Sequence, residues 1–591
     1  MSLLLAATGS GLCWPAAVAA PGQADLALGQ ASATPAASVC ASQLQCERLL
    51  AQAANDGPTY ATAQAWMKLA ELGGEGGKPN PRHVLKAFET VKLVLAQDRG
   101  TRSADSAGRD ADLFTLRLLP IFQAAADALA YERVADGSTP TDRRLIASLL
   151  DLGETARRAQ IDLVLADSCE PLQVSLAPKH LLDGETIVYP IVGSRRTYLL
   201  VGRKPDRAGR ATAGDGWTLL GAGEGSGASI LSPIAKQLFL RLPLAAREFS
   251  NPTLSGPRAD WGSADAHNLY ELLIQPLNRR FIPPDPPRTD STGAEVEKVP
   301  TLIFFPDPVL RNVPWALLHG KPDLPSGEPD YLVRRVAIAV GPGLAYVRPS
   351  PRPGVRGGLM LGGLGIAALS GFVPAVSKEE DISPWIVEPA LSGSAGLAIA
   401  SLPAGDEVGS VRLRPFTREG LQTALRRGDF STLLLATHAQ YLPGTSYFQI
   451  HPETGSGSIR MPVSRIEEWL REGRRKSRGL DLLIFLACEG AVGGAGDLGL
   501  AGAALRGGAL STVGALAPVQ AKTASSYFNS KLDRNSDFLS LYYDSDSAQS
   551  AAQALRRVQL AYAGTETTRR QSNDLSYPAN WGVFVVIGNW R

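Results

Sequence analysis

Two short apolar runs that each end in a reactive side chain decide the fold. The first is Ser431-Thr432-Leu433-Leu434-Leu435-Ala436-Thr437-His438, and the second is Leu480-Asp481-Leu482-Leu483-Ile484-Phe485-Leu486-Ala487-Cys488. Each run has the length of a strand and is mostly apolar without alternation, which is the pattern of a strand covered on both faces. Ligands bind beyond the carboxyl ends of strands in open α/β sheets. His438 and Cys488 are therefore the candidate reactive pair.

Strand-like and helix-like segments alternate around these runs. Strand patterns cover 301–305, 336–340, 358–361, 397–400, 510–516 and 583–587, and helical patterns cover 418–427, 497–506, 521–532 and 547–563. Ser464 and Glu467 have the spacing of a capping box, which predicts a helix that begins there and ends at Gly473. The alternation predicts an α/β fold with a mostly parallel sheet flanked by helices.

The sequence before residue 169 has a different pattern of apolar residues. Residues 43–168 carry apolar side chains at three- and four-residue spacing, which predicts helices at 59–72, 83–97, 110–131 and 142–166. A tetratricopeptide-like array and an irregular helical region both fit, because the signature side chains of that repeat do not recur at a regular period. Further along, 186–201 predicts a β-hairpin around Gly193-Ser194, and 265–277 predicts a helix.

The first residues resemble an export signal. Residues 1–20 are apolar and end in small side chains, although the basic start of a secretory signal is missing, and 21–42 has the composition of a linker. Gly9, Gly11 and Pro15 interrupt the apolar stretch, so no stable membrane span is predicted. If the segment is a signal, the chain is periplasmic or secreted, and Cys40 and Cys46 can pair. Otherwise the chain is cytoplasmic.

The net charge and the spacing of the cysteines and histidines argue against nucleic-acid binding and against a metal site. The 591 residues carry a net charge of +2, so no overall field favours nucleic acid. The five cysteines and six histidines form no cluster with metal-ligand spacing. We therefore expect neither a structural metal nor another cofactor.

A cysteine and a histidine brought together in space can cleave an acyl bond. The thiolate is the nucleophile, and a nearby imidazole supplies the base that a thiol needs at neutral pH. The backbone N–H groups of Ala439, Cys488 and Glu489 are candidate donors to the oxyanion. The structural alternatives are a buried cysteine that packs as a small apolar residue and a histidine that satisfies a strand end.

Several separated motifs, in order, resemble the CHAT domain family, whose caspase-like cysteine peptidase domain often follows tetratricopeptide repeats. The histidine segment of that family resembles Leu435-Ala436-Thr437-His438-Ala439, and its cysteine segment resembles Phe485-Leu486-Ala487-Cys488-Glu489-Gly490. The other matching positions are Phe305-Pro306-Asp307, Leu310, Pro314, Leu317-Leu318-His319, Gly496-Asp497, Trp581, Phe584, Ile587, Gly588 and Trp590. The resemblance covers roughly 170–591.

The resemblance implies a caspase-like fold and an endopeptidase, with Cys488 as nucleophile and His438 as general base and acid. It places the amino-terminal half of the domain at 169–350 and the catalytic half at 351–591. Two positions depart from the family pattern: Ala439 replaces a glycine and Gly490 replaces a threonine. Asp497 is a candidate wall of a pocket for a Lys or Arg side chain of the substrate, and a helix N-cap is its alternative role.

The leading functional hypothesis is a cysteine endopeptidase that cleaves a protein or peptide substrate and receives a protein regulator at its helical region. The first alternative is a catalytically silent scaffold of the same fold that binds protein partners. The second is a hydrolase or acyltransferase that uses the same dyad on a non-peptide substrate. Covalent labelling of Cys488, partner capture and a screen of acyl substrates distinguish the three.

Overall fold

The computed structural model describes most of the helical region and the core of the sheet. The described residues are 40–75, 78–97, 113–134, 142–164, 176–205, 216–222, 225–249, 261–278, 280–285, 299–320, 329–347, 359–363, 385–388, 412–415, 417–427, 432–437, 439–440, 446–450, 459–476, 480–486, 491, 499–519, 527–528, 538–543, 550–563 and 577–591.

The described part of the chain before residue 165 is all-helical, as predicted. Its helices are α1 (Gln43–Asp56), α2 (Tyr60–Leu72), α3 (Pro81–Gln97), α4 (Leu119–Val134) and α5 (Arg143–Val164). Thr59 caps α2, since its hydroxyl accepts from the backbone N–H of Thr62. A π-helical turn at Phe114–Leu118 leads into α4. Cys40 and Cys46 form a disulfide at the start of α1.

The strands make one large sheet and one small sheet. They are β1 (Glu185–Val192), β2 (Thr197–Arg203), β3 (Trp217–Gly221), β4 (Thr301–Phe304), β5 (Ala337–Val340), β6 (Leu359–Gly363), β7 (Trp385–Glu388), β8 (Arg412–Pro415), β9 (Thr432–Ala436), β10 (Ala439–Gln440), β11 (Tyr447–Ile450), β12 (Ile459–Pro462), β13 (Leu482–Leu486), β14 (Ser511–Ala515) and β15 (Phe584–Gly588). The order in the large sheet is β3-β2-β1-β4-β5-β15-β14-β13-β9-β6-β7-β8, and β10-β11-β12 form the small antiparallel sheet.

The large sheet is mixed and contains two blocks of parallel strands. The pairs β1–β4, β4–β5 and β5–β15 are parallel, and so are β14–β13, β13–β9 and β9–β6. Antiparallel pairs occur at both edges and between β14 and β15. The predicted hairpin is β1 with β2, in register from Thr186–Arg203 to Val192–Thr197. A mostly parallel sheet flanked by helices, after an all-helical region, is therefore confirmed.

Further helices cover the sheet. They are α6 (Ala228–Phe249), α7 (Ser263–Leu269), α8 (Arg418–Arg427), α9 (Val463–Lys476), α10 (Gly499–Gly507), α11 (Phe538–Tyr543), α12 (Ala551–Ala563) and α13 (Pro578–Trp581). α7 continues through a π-helical turn and a 3-10 turn to Leu277, which matches the helix predicted at 265–277. The predicted strand at 397–400 lies outside the described residues, as does most of the predicted helix at 521–532.

The predicted limits of α9 were wrong. The helix begins at Val463, one residue before Ser464, and continues past Gly473 to Lys476. Ser464 therefore lies inside the helix and not at its N-cap, and the carboxylate of Glu467 accepts hydrogen bonds from Arg471 and Arg506. Gly473 lies where α9 crosses α8: a Cβ at this position would stand 2.1 Å from the carbonyl oxygen of Leu425. The glycine therefore serves close packing and does not end the helix.

The helical region and the first strands share one hydrophobic core. Side chains of α2 to α5 pack against the face of the sheet that carries Ile187, Tyr189 and Ile191 of β1. Arg157 of α5 is fully buried at this junction. Its guanidinium donates to backbone carbonyls of the sheet side, including that of Pro190 at 2.9 Å.

Candidate active site

The candidate site lies at the carboxyl ends of two adjacent central strands. β9 and β13 are parallel neighbours whose register runs from Thr432–Leu482 to Ala436–Leu486. His438 and Cys488 each follow the last pair by two residues in the sequence. The prediction that the two apolar runs are strands of one sheet is thus confirmed.

Burial on both faces explains why these runs are strands without alternation. Leu433 and Phe485 point to the side where α8, α9 and α10 pack, and Leu434 and Ile484 belong to the core on the other side. All four side chains are completely buried. The apolar residues therefore hold β9 and β13 side by side, and their shared register follows from the pairing.

Most of the predicted site residues lie outside the described residues. These are His438, Cys488, Glu489 and Asp497. The dyad, the oxyanion donors at Cys488 and Glu489 and the pocket wall at Asp497 therefore stay predictions. Cys169 also lies outside the described residues.

Ala439, the remaining candidate oxyanion donor, is described. It is half-buried in β10, where it pairs with Phe448 of β11, and it packs against the core beneath the small sheet. Strand geometry is open to every L-residue. The replacement of the family's glycine by alanine therefore requires no conformation that alanine resists.

Thr437, directly before His438, makes a contact that sequence reasoning missed. Its side chain is buried, and its hydroxyl donates to the carbonyl oxygen of Gln449 in β11 at 2.6 Å. The hydroxyl thus links the end of β9 to the small sheet. The threonine belongs to the Ala-Thr-His segment, but the sequence alone does not indicate which group its hydroxyl bonds.

The chain on both sides of Cys488 is anchored as well. Leu486 is paired with Ala436, and the backbone N–H of Ala491 donates to the carbonyl oxygen of Ala515 at 3.0 Å. Ala491 is buried. The described residues on either side of the Cys488 segment therefore lie at the carboxyl ends of β13 and β14.

An ion pair connects α9 and α10, the helices that pack on one face of β9 and β13. Glu467 of α9 and Arg506 of α10 are joined at 2.8 Å, and both side chains are about nine-tenths buried. Arg471, one turn further along α9, pairs with the same carboxylate. The ion pair therefore holds the last turn of α10 against α9.

His180, His267 and His319 have structural surroundings. Nδ1 of His180 accepts from the backbone N–H of Ala177 at 3.1 Å. His319 is buried, stacks on His267 and lies with Nε2 at 3.1 Å from the hydroxyl of Ser263. Burial lowers the pKa of His319, which favours its neutral form. His451 lies outside the described residues.

Within the described residues, no group of three or more His, Cys, Asp or Glu side chains is arranged to hold a metal ion. None of the helices described there is long and apolar enough to cross a membrane.

Comparison with known proteins identifies the family. The sequence profile of the CHAT domain matches residues 263–589. A crystal structure of the separase–securin complex of Saccharomyces cerevisiae matches with a TM-score of 0.37 and 10% identity, over 90% of this chain and 37% of that chain. The present chain thus spans little more than a third of the chain it matches there. No curated protein matches. Because the CHAT profile covers more than half of its 591 residues, the chain belongs to the CHAT domain family and has its caspase-like α/β fold.

Proposed function

We propose that this protein is a cysteine endopeptidase that cleaves protein or peptide substrates with a Cys488–His438 dyad. One observation carries the proposal: β9 and β13 are adjacent and parallel, and their register ends at Ala436–Leu486. The two reactive residues stand at equal distances in sequence beyond that pair. Chemistry that needs a cysteine and a histidine close together requires this kind of arrangement.

The reaction follows from the chemistry of the two side chains. His438 accepts the thiol proton, and the Cys488 thiolate forms a C–S bond to the scissile carbonyl carbon. The tetrahedral oxyanion collapses, the C–N bond breaks, and the His438 imidazolium gives its proton to the leaving amine. Water, deprotonated by His438, then hydrolyses the thioester and releases the carboxylic acid.

Oxyanion stabilisation is assigned to backbone donors. The N–H groups of Ala439, Cys488 and Glu489 are the proposed set, and such donors supply a large share of the rate enhancement in acyl transfer. The strand geometry of Ala439 supports this assignment, because the departure from the family's glycine leaves ordinary backbone at that position. Asp497 is proposed to select a Lys or Arg side chain of the substrate.

Active-site labelling tests the proposal. Peptide acyloxymethyl ketones with Arg, Lys, Asp or Leu next to the warhead are incubated with the full chain, and peptide mapping locates the adduct. We expect one adduct, on Cys488, that is lost in Cys488→Ala and strongly slowed in His438→Ala. Preference for Arg or Lys that disappears in Asp497→Asn would support the pocket.

The labelling also separates the rival functions. A folded protein that stays unlabelled, alone and in lysate of its native cell, would refute the peptidase and leave the silent scaffold. A Cys488 adduct without cleavage of any protein substrate, combined with turnover of small acyl esters, would indicate a hydrolase or acyltransferase for non-peptide substrates.

A regulator and a compartment complete the proposal. We propose that a protein partner acts through the helical region, since α2 to α5 share a core with β1, β2, β4 and β5. We also propose that the chain is exported, because the Cys40–Cys46 disulfide suits an oxidising compartment and residues 1–20 resemble a signal.

A further inference from the structure

We propose that Thr437 is a positioning residue, whose hydroxyl holds the backbone on the amino-terminal side of His438 against the small sheet. The inference rests on the proposed function, because it assigns Thr437 a part in aligning the dyad. It goes beyond that function by naming a residue that touches neither substrate nor the reacting atoms.

The residues before and after position 438 both contact β11. On one side, the hydroxyl of Thr437 donates to the carbonyl oxygen of Gln449 at 2.6 Å. On the other side, Ala439 is paired with Phe448. Gln449 and Phe448 are consecutive residues of β11. Both chain neighbours of His438 are therefore tied to one short piece of backbone.

The Thr437 hydroxyl bonds the residue of β11 that follows the described pairs. Among the described residues, β10 and β11 pair from Gln440–Tyr447 to Ala439–Phe448, and Gln449 follows Phe448 along β11. Thr437 donates to the carbonyl oxygen of the half-buried Gln449 from a side chain that is 1% exposed. The hydroxyl therefore adds a side-chain connection between the end of β9 and the small sheet.

The anchor matters because β9 is also tied to the cysteine strand. Ala436, the residue before Thr437, is paired with Leu486 of β13. The small sheet, β9 and β13 are thus joined within two residues of His438 on one side and of Cys488 on the other. Loss of the Thr437 hydroxyl would leave the His438 backbone less closely tied to this arrangement, and small misplacements of reacting groups are costly in rate.

Matched substitutions test the role of the hydroxyl. Thr437→Val removes it at nearly constant shape, and Thr437→Ser keeps it. The readout is the second-order rate of Cys488 labelling by the preferred peptide acyloxymethyl ketone. We expect Val to slow labelling between about tenfold and a hundredfold, and Ser to restore most of the loss. Thr432→Val, the same change at the other end of β9, is the control and leaves the rate near that of the wild type.

Hydrogen exchange of the backbone gives a second readout that does not depend on activity. In Thr437→Val, amides in 437–440 and 447–450 exchange faster than in the wild type, and in Thr437→Ser they do not. Wild-type rates in both measurements for Thr437→Val would overturn the inference, and so would an equal loss of labelling in Thr432→Val. If the wild type cannot be labelled, the proposed function fails, and the exchange result alone decides whether Thr437 anchors this segment.

Discussion

The guanidinium of Arg157 lies 3.8 Å from the centre of the Tyr189 ring. The arginine belongs to α5 and the tyrosine to β1, so this contact joins the helical region to the sheet. Both side chains are fully buried. The guanidinium also donates to the carbonyl oxygens of Pro190 and Pro306, at 2.9 and 3.2 Å. The hydroxyl of Tyr189 donates to Glu154, one turn earlier on α5, at 2.7 Å.

Replacing this arginine should destabilise the whole molecule. Arg157→Met keeps the length of the side chain but leaves several buried carbonyls without a donor, and each such group costs about 1 to 3 kcal/mol. We expect the free energy of unfolding in urea to fall by about 3 kcal/mol or more. Arg144→Met, an exposed position on the same helix, should change it by less than about 0.5 kcal/mol. Equal effects of the two substitutions would contradict the role of Arg157.

Gly473→Ala should destabilise the protein although alanine is the better helix former. Intrinsic propensity alone favours alanine by about 1 kcal/mol. The new Cβ would stand 2.1 Å from the carbonyl oxygen of Leu425, so α8 and α9 must separate. We expect a lower thermal midpoint for Gly473→Ala and little change for Glu468→Ala, at an exposed site of α9. A raised midpoint for Gly473→Ala would show that the two helices do not meet at this glycine.

Glu185 should contribute stability that is lost in acid. Burial raises its pKa, but hydrogen bonds from Arg591, the backbone N–H of Leu182 and Trp590 outweigh burial and leave the pKa below its usual 4.5. A carboxyl group with a lowered pKa stabilises the folded state above its unfolded pKa, and this contribution disappears as pH falls through the folded pKa.

The measurement is the thermal midpoint of the wild type and Glu185→Gln across a pH series. We expect Gln to cost about 2 kcal/mol near neutral pH, with a difference that shrinks as pH falls below 4.5. Glu89→Gln, at an exposed and weakly paired position, serves as the control. A difference between wild type and Glu185→Gln that is constant across the series would contradict the assigned pKa.

The disulfide should protect the start of the helical region. Cys40 and Cys46 are both buried, together with Ala65 and Leu69 of α2. Double replacement by serine should increase backbone exchange in α1 and cost about 2 kcal/mol of local stability. Alkylation of the denatured protein from its native cell, without reductant, should leave both residues unlabelled. Their full labelling would contradict export to an oxidising compartment.

The predicted elements that the structure confirms are those with strong apolar patterns. The runs that became β9 and β13 were visible because burial on both faces demands uninterrupted apolar residues. β8 and β12 were missed, because Arg412–Pro415 and Ile459–Pro462 are polar edge segments without that pattern. α6 was also missed, since Pro233 and Pro243 stand inside a helix of 22 residues.

The parts of the site that could be predicted are those that belong to recognisable continuous segments of the sequence. The pairing of Ala436 with Leu486 confirms that the two runs end together. The bond from Thr437 to Gln449 could not be foreseen, because a threonine hydroxyl can bond many backbone groups and the sequence does not say which strand passes nearby. The hydrogen bonds from Arg157 to Phe305 and Pro306, which lie 148 and 149 positions further along the chain, could not be foreseen for the same reason.

The shared core of α2 to α5 and the first strands limits how this chain can be cut or recombined. A recombinant fragment that begins at residue 169 would lose the helices that cover Ile187, Tyr189 and Ile191. That fragment would expose a broad apolar surface and the backbone carbonyls to which Arg157 donates in the full chain. We therefore expect it to aggregate on expression. Gene fusions and exchanges between family members should therefore be joined before residue 43, where the first helix begins.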